Sequence, residues 1–236
     1  MNQQTQEVNV YGSPYFNIFT EIHLGPFTNK DLTLLLERSN ERFDSSDHNY
    51  ITKASGYHPY LAQAAASTLW DVGEQNIVGL PRYIAAGEAL QRQTRSHFAD
   101  TWRSWTNETR KAMTAVALTQ IPRLLEDRNF KVNRLTMDLN DYYPELKMLV
   151  DNGMLTQNEQ GEWSVAQGAF LWWLADELRR NVRDQTEFNV WLQAQEIDGL
   201  FTNEKKQYLG QAVGNCLTTM KQGTPILIEA FISNIS

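Results

Sequence analysis

The chain has 236 residues, 42% of them hydrophobic, and a formal net charge of -7 with a pI near 5.2. This composition provides for one large or two small folded domains and excludes wholesale disorder. The acidic balance disfavours nucleic-acid binding unless basic residues concentrate on one face, and the single cysteine excludes an internal disulfide. No apolar run approaches the roughly 18 residues that cross a bilayer. Because the first residues also lack the pattern of a signal peptide, we expect a cytoplasmic protein without membrane contact.

The first predicted element is a strand. Residues 15–24 alternate apolar and polar side chains after Phe16, which is typical of a strand with one buried face. Gly25-Pro26 ends the pattern. Thr28 then has the properties of an N-cap, so the sequence predicts a helix over residues 29–38.

The next distinctive element is a predicted turn at residues 55–59. It follows a polar loop, Asp44 to Asp47, and a shorter predicted helix. Pro59 fits the first turn of a longer helix, where the missing N–H of proline is no loss. A further amphipathic helix is predicted over residues 80–105, and another begins after Thr106 and ends at Pro122.

The second half of the chain contains a helix, a hairpin and a helix. Residues 142–150 predict a short amphipathic helix, closed by Asn152-Gly153 as a left-handed C-cap. Two short strands, 154–156 and 162–165, flank a polar turn, and a helix over residues 169–180 follows. This order is typical of a winged helix, with the hairpin as its wing.

These motifs resemble a known family. The segments SPYFNIFTEIHLGPFT (13–28) and SGYHPYLAQ (55–63) resemble the junction between the nucleotide-binding core and the lid of bacterial STAND ATPases, which are AAA-like proteins. The resemblance covers about residues 13–178. It implies a mainly α fold, in which a helical AAA-type lid is followed by a winged-helix domain with a small β-hairpin wing and a C-terminal helical tail.

The resemblance also divides the chain into four parts. Residues 1–28 are predicted to be a remnant core strand and linker, and residues 29–104 a helical lid-like domain. Residues 105–182 are the predicted winged-helix domain, and residues 183–236 a helical tail. Within the tail, the apolar run after Pro225 fits either a helix or a buried strand, since periodicity alone does not decide between them.

The candidate site residues come from the same resemblance. In STAND ATPases a lid proline packs near the adenine, so Gly56, His58 and Pro59 would form the adenine-side element, vestigial in isolation. In that family the lid and winged helix close over ADP and open with ATP. The simpler interpretation is that His58 and Pro59 only start a helix.

The chain departs from the family where phosphate chemistry is concerned. It contains no G-x-x-x-x-G-K-[ST] loop and no apolar strand ending in paired acidic residues. Because the phosphate cradle and magnesium ligands are missing, we expect no ATPase activity and no cofactor, with ATP or ADP bound only if a separate core completes the site. The scattered histidines, His23, His48, His58 and His97, predict no metal site.

The sequence therefore predicts a non-catalytic regulatory and protein-interaction module that resembles the lid and winged-helix arm of a STAND signalling ATPase. Its expected partners are a nucleotide-binding core or an effector protein, and self-association through the N-terminal strand is expected as well. The alternative is a winged-helix DNA-binding transcriptional regulator. Nucleic-acid binding is disfavoured because Lys147 is the one basic residue of the candidate recognition helix, residues 141–150. The wing carries the acidic residues Glu159 and Glu162.

Overall fold

A computed structural model describes residues 25–39, 42–124, 136–182 and 184–197, together with residues 207, 210 and 228–230. The predicted strand over residues 15–24, and with it the expected self-association edge, lies outside the described residues. So does most of the tail. In the described part the chain is mainly helical, as predicted, with a small two-stranded antiparallel hairpin.

The first half of the described chain folds into four helices, α1 (Asn29–Glu37), α2 (Ser45–Ser55), α3 (Pro59–Gly73) and α4 (Leu80–Ser104). Local signals start three of them. Thr28 caps α1 and Asp44 caps α2, each in a reciprocal capping box with the acidic residue three positions later. The third is α3, which His58 caps and Pro59 begins. Two alanines of α3, Ala62 and Ala65, are fully buried. Side chains this small let α3 and α4 pack closely along their lengths.

The second half contains the helix, hairpin and helix that the sequence predicts. Its elements are α5 (Asn107–Leu124), a 3-10 helix (Thr136–Tyr142), α6 (Tyr143–Asp151), β1 (Leu155–Gln157), β2 (Trp163–Val165), α7 (Gly168–Asn181) and α8 (Gln185–Ala194). Leu155 pairs with Val165 in the hairpin, and both side chains are buried. Gly153, with φ +66°, closes α6 in the left-handed conformation that Asn152-Gly153 predicted.

Two local predictions were wrong. The residues from Asp44 to Asp47 are the cap and first turn of α2 and not a polar loop, because each of these two aspartates accepts the backbone N–H of the other. Helix α5 does not end at Pro122 but continues to Leu124.

A cluster of aromatic rings joins the two halves. On the α4 side it contains Phe98 and Trp102, and on the α7 side Phe170 and Trp173, with ring centroids 5.4 Å apart for Phe98 and Phe170 and 6.0 Å apart for Trp102 and Trp173. Trp172 is buried as well. This cluster packs α4 against α7.

No helix in the described ranges is long and apolar enough to cross a membrane.

Candidate functional site

The turn at residues 55–59 has an unusual backbone. Gly56 ends α2 with φ +55°, and its N–H donates to the carbonyl oxygen of Thr52 at 2.9 Å. Tyr57 follows with φ +64°, a conformation that costs a residue with a side chain roughly 1 kcal/mol or more. A Cβ on Gly56 would stand 2.7 Å from the carbonyl carbon of Ala166. The turn is therefore pressed against the backbone that leads into α7.

His58 and Pro59 start α3, as the simpler interpretation of the sequence predicts. The backbone N–H of Leu61 points to His58 Nδ1 at 3.5 Å, and Pro59 occupies the first turn. The pKa of His58 is lowered from its ordinary value of 6.5, first by burial and then by the charge of His97. The two imidazole rings lie 6.2 Å apart between centroids. An unprotonated Nδ1 is what the cap requires, since a protonated nitrogen cannot accept.

A cavity of about 380 Å³ opens beside these residues. One wall belongs to the first half of the chain and the other to α6 and the residues after it, so the cavity lies on the seam between the halves. Its volume is within the range of small-molecule sites. Besides His58 and Pro59, it is lined by Gly25, Pro26, His97, Phe98, Thr101, Trp105, Met148, Leu149, Asn152, Met154 and Gln167.

Apart from its two histidines, the lining of this seam cavity is aromatic, apolar or uncharged polar. None of its described lining residues is Asp, Glu, Lys or Arg. The side chains that hold phosphate groups most strongly are those with guanidinium or ammonium groups. A lining of this kind accommodates an uncharged planar ring better than a phosphate chain.

The segment before α1 contributes Gly25 and Pro26 to the lining of the seam cavity. The N–H of Phe27 donates to the carbonyl oxygen of Tyr57 at 2.9 Å. Pro26 lies against Gly153, where an added Cβ would stand 3.2 Å from the proline ring. The segment therefore contacts both halves of the chain.

A second feature of this half is a buried ionic network that sequence reasoning missed. Asp47 is 1% exposed, and its Oδ1 accepts from Arg82 Nη1 at 2.9 Å and from the Tyr83 hydroxyl at 3.0 Å. Burial, then the hydrogen bond to Asp47 and its charge, raise the pKa of Tyr83 to about 12. The network ties the first turn of α2 to the first turn of α4, and a spacing of 35 residues gives no local signal for it.

The fold brings together two of the four histidines, His58 and His97, which the sequence gives as scattered. Across the described ranges, no three His, Cys, Asp or Glu side chains come close enough together to hold a metal ion.

The helix and hairpin that would face DNA in a winged helix carry acidic groups in the structure as well. Asp141 and Glu159 are exposed, Glu145 is half-buried, and Lys147 is exposed. The turn of the hairpin, residues 158–162, is exposed throughout and contains no Lys or Arg. The basic residues 128, 131 and 134 lie outside the described residues.

One comparison with known proteins gave a match. The family model described as Novel STAND NTPase 2 (nSTAND2) matches residues 5–122, which is 118 of the 236 residues. The matched part includes the turn at residues 55–59 and all of α1 to α4. No curated protein and no solved structure matches the chain.

Proposed function

The chain belongs to the Novel STAND NTPase 2 family, and on that premise we propose that it is a non-catalytic regulatory and protein-interaction module, corresponding to the lid and winged-helix arm of a STAND signalling ATPase. Its partners in this proposal are a nucleotide-binding core or an effector protein.

The seam cavity is the observation that carries the proposal. His58 and Pro59 form part of one wall, and Met148 and Leu149 of α6 form part of the other. A group that occupies the cavity contacts both halves and favours the arrangement in which both walls are in place. Binding is thereby coupled to domain arrangement, as a regulatory arm requires.

The chemistry of the cavity supports a role without catalysis. An uncharged ring such as adenine fits a lining without Asp, Glu, Lys or Arg, and the sequence has no phosphate loop. The phosphates and the magnesium would therefore be held by a separate core. In this proposal ATP or ADP is bound only when such a core completes the site.

Two exposed side chains, Met148 in the cavity lining and Tyr60 beside the lining residue His97, support contact with a protein. Tyr60 and Met148 are 41% and 39% exposed, and the Tyr60 ring lies 5.2 Å from that of His97, between centroids. Large apolar side chains exposed beside a cavity are typical of an interaction surface.

Two measurements test the proposal. Calorimetric titration of the full chain with ATP or ADP and magnesium should give no micromolar binding, and the chain should not hydrolyse ATP. Capture with the tagged chain from its native host should recover an ATPase core or effector. Micromolar nucleotide binding by the chain alone, or a capture that recovers neither partner, would contradict the proposal.

Matched variants on α6 locate the contact. Met148→Glu places a charge in the cavity and should reduce capture. Lys147→Glu changes the net charge more than Met148→Glu does. Since Lys147 lies outside the cavity lining, this variant should leave the capture of the partner unchanged. Equal effects would place the contact elsewhere.

The DNA-binding alternative is not favoured by the exposed acidic groups around α6 and the hairpin. A gel shift with duplex DNA at low salt should show no complex. A complex that weakens steeply as salt is added would indicate phosphate contacts and reverse this conclusion.

A further inference from the structure

One amide side chain in the lining of the seam cavity is held in a single orientation. Gln167 lies directly before α7 and is 2% exposed. Its Nε2 donates to the carbonyl oxygen of Gly153 at 3.2 Å. The amide cannot be turned over, since that would bring two carbonyl oxygens into contact. Gly153 therefore determines where the oxygen of the Gln167 amide lies.

That oxygen, Oε1, has no partner within the described part of the chain. No described residue donates to it. It is not one of the side-chain atoms that are both sealed from solvent and without a partner, so it retains accessible surface. Because the residue is otherwise buried in the cavity wall, this surface belongs to the cavity. A buried acceptor is costly without a donor, so the wall favours a ligand that brings an N–H group.

The opposite wall supplies a donor. Nδ1 of His58 accepts the N–H of Leu61, so the proton of the neutral imidazole is on Nε2. This N–H donates to no described residue. The cavity therefore presents a donor on the wall of the first half and an acceptor on the wall of the second.

The remaining lining indicates the body of the ligand. Phe98 and Trp105 contribute aromatic rings to it, and planar rings pack well against such side chains. A planar heterocycle with ring nitrogens and an amino group matches both polar groups, because its nitrogens accept and its amino group donates. Adenine has this arrangement, with its amino group beside ring nitrogens that accept.

We propose that Gln167 is a specificity-determining residue of the seam cavity, whose Oε1 selects a planar nitrogen heterocycle with an exocyclic amino group. The amino group donates to Gln167, and a ring nitrogen accepts from His58 on the other wall. This inference rests on the proposed function, and it names the group by which the cavity recognises an uncharged ring. A ring that lacks the amino group leaves the buried acceptor unpaired.

Two ribosides test the recognition of the amino group. Adenosine and purine riboside share the same rings and sugar, but purine riboside has no amino group. In calorimetric titration of the full chain, adenosine should bind saturably at millimolar concentration, far more weakly than a nucleotide held by a complete site. Purine riboside should bind about threefold more weakly or worse, as expected for one lost hydrogen bond between neutral groups. No saturable binding of adenosine, or equal affinities, overturns the proposal.

Variants test the role of Gln167. Gln167→Met removes the amide, so the affinities for the two ribosides should become equal. A merely structural loss would lower both affinities alike and keep their ratio. Gln157→Met is the matched control, because its Nε2 also donates to a glycine carbonyl, that of Gly161 at 3.1 Å, outside the seam cavity. It should keep the preference of the parent chain for adenosine.

A preference for adenosine that survives in Gln167→Met would overturn the proposal. If that variant does not fold, the two ribosides on the parent chain still decide, because equal affinities there already exclude recognition of the amino group. Capture from the native host separates this inference from the proposed function. A capture without an ATPase core or effector contradicts the function alone, whereas equal binding of the two ribosides contradicts the role of Gln167 alone.

Discussion

Gly56 and Ala166 meet backbone to backbone. A Cβ on Gly56 would lie 2.7 Å from both the carbonyl carbon and the carbonyl oxygen of Ala166. The contact joins the turn before α3 to the segment before α7, across 110 residues of sequence (166 minus 56).

Gly56→Ala should destabilise the protein by about 2 to 4 kcal/mol, because strain at positive φ adds to a backbone clash. Urea unfolding followed by circular dichroism measures the change. Gly161→Ala is the matched control. It also has a positive φ, +80°, but its Cβ would meet no atom closer than 3.8 Å. Its cost should be that of the strain alone, about 1 kcal/mol. Equal losses would show that the contact with Ala166 is not tight in solution.

Asp47→Asn should cost about 3 kcal/mol of unfolding free energy, since it keeps the shape of the side chain and leaves the Arg82 guanidinium without its buried partner. Glu177→Gln removes the partner of Arg95 in a more exposed pair, with side chains 45% and 28% exposed, and should cost less than about 1 kcal/mol. Urea unfolding of both variants provides the comparison. A loss for Asp47→Asn no larger than for Glu177→Gln would contradict a structural role for the buried network.

Acidification should destabilise the protein through His58. Its folded-state pKa lies below the ordinary value of 6.5, with burial as the main cause and the charge of His97 as the second. The unfolded chain therefore takes up the proton first. The His58 contribution is complete above about pH 6.5 and is lost as the pH falls from there through the folded-state pKa.

Thermal melts between pH 7.5 and 5 measure this effect. The parent should lose stability over that interval, and His58→Gln should lose less. His48→Gln on α2, outside the seam cavity, should follow the parent curve. A His58→Gln curve parallel to that of the parent would assign the acid sensitivity to other groups.

Phe170→Ala should cost about 3 to 5 kcal/mol, the usual range for removing a large buried ring. Phe170 is fully buried, and its ring contacts Phe98 on α4 at 5.4 Å and Trp105 at 5.6 Å between centroids. The midpoints from far-ultraviolet and near-ultraviolet circular dichroism should shift together, because this ring of the second half packs against α4 of the first. Tyr143→Ala, at a ring 56% exposed, should cost less than about 1 kcal/mol. Separate transitions for the two signals would indicate halves that unfold independently.

Much of the fold could be predicted from local patterns. Thr28 as the cap of α1, Pro59 in the first turn of α3 and Gly153 after α6 are each recognisable within a few residues, because the hydrogen bonds concerned span three or four positions. The prediction that Asp47 lies in a polar loop was wrong, because its position depends on residues far away in the sequence. Its capping partner is local, but its burial depends on Arg82 and Tyr83, which belong to another helix.

The candidate site likewise has a part that local sequence predicts and a part that depends on tertiary packing. The sequence by itself determined the turn at residues 55–59, since a glycine able to adopt positive φ and a proline suited to a first helical turn are local properties of the chain. Only the tertiary structure decided what the turn faces. The 6.2 Å between the rings of His58 and His97 depends on how α3 packs against α4. The seam cavity and the contact of Gly56 with Ala166 depend on how the two halves of the chain pack together. That packing is set by many side chains that interact at once, and no short segment of the sequence specifies it.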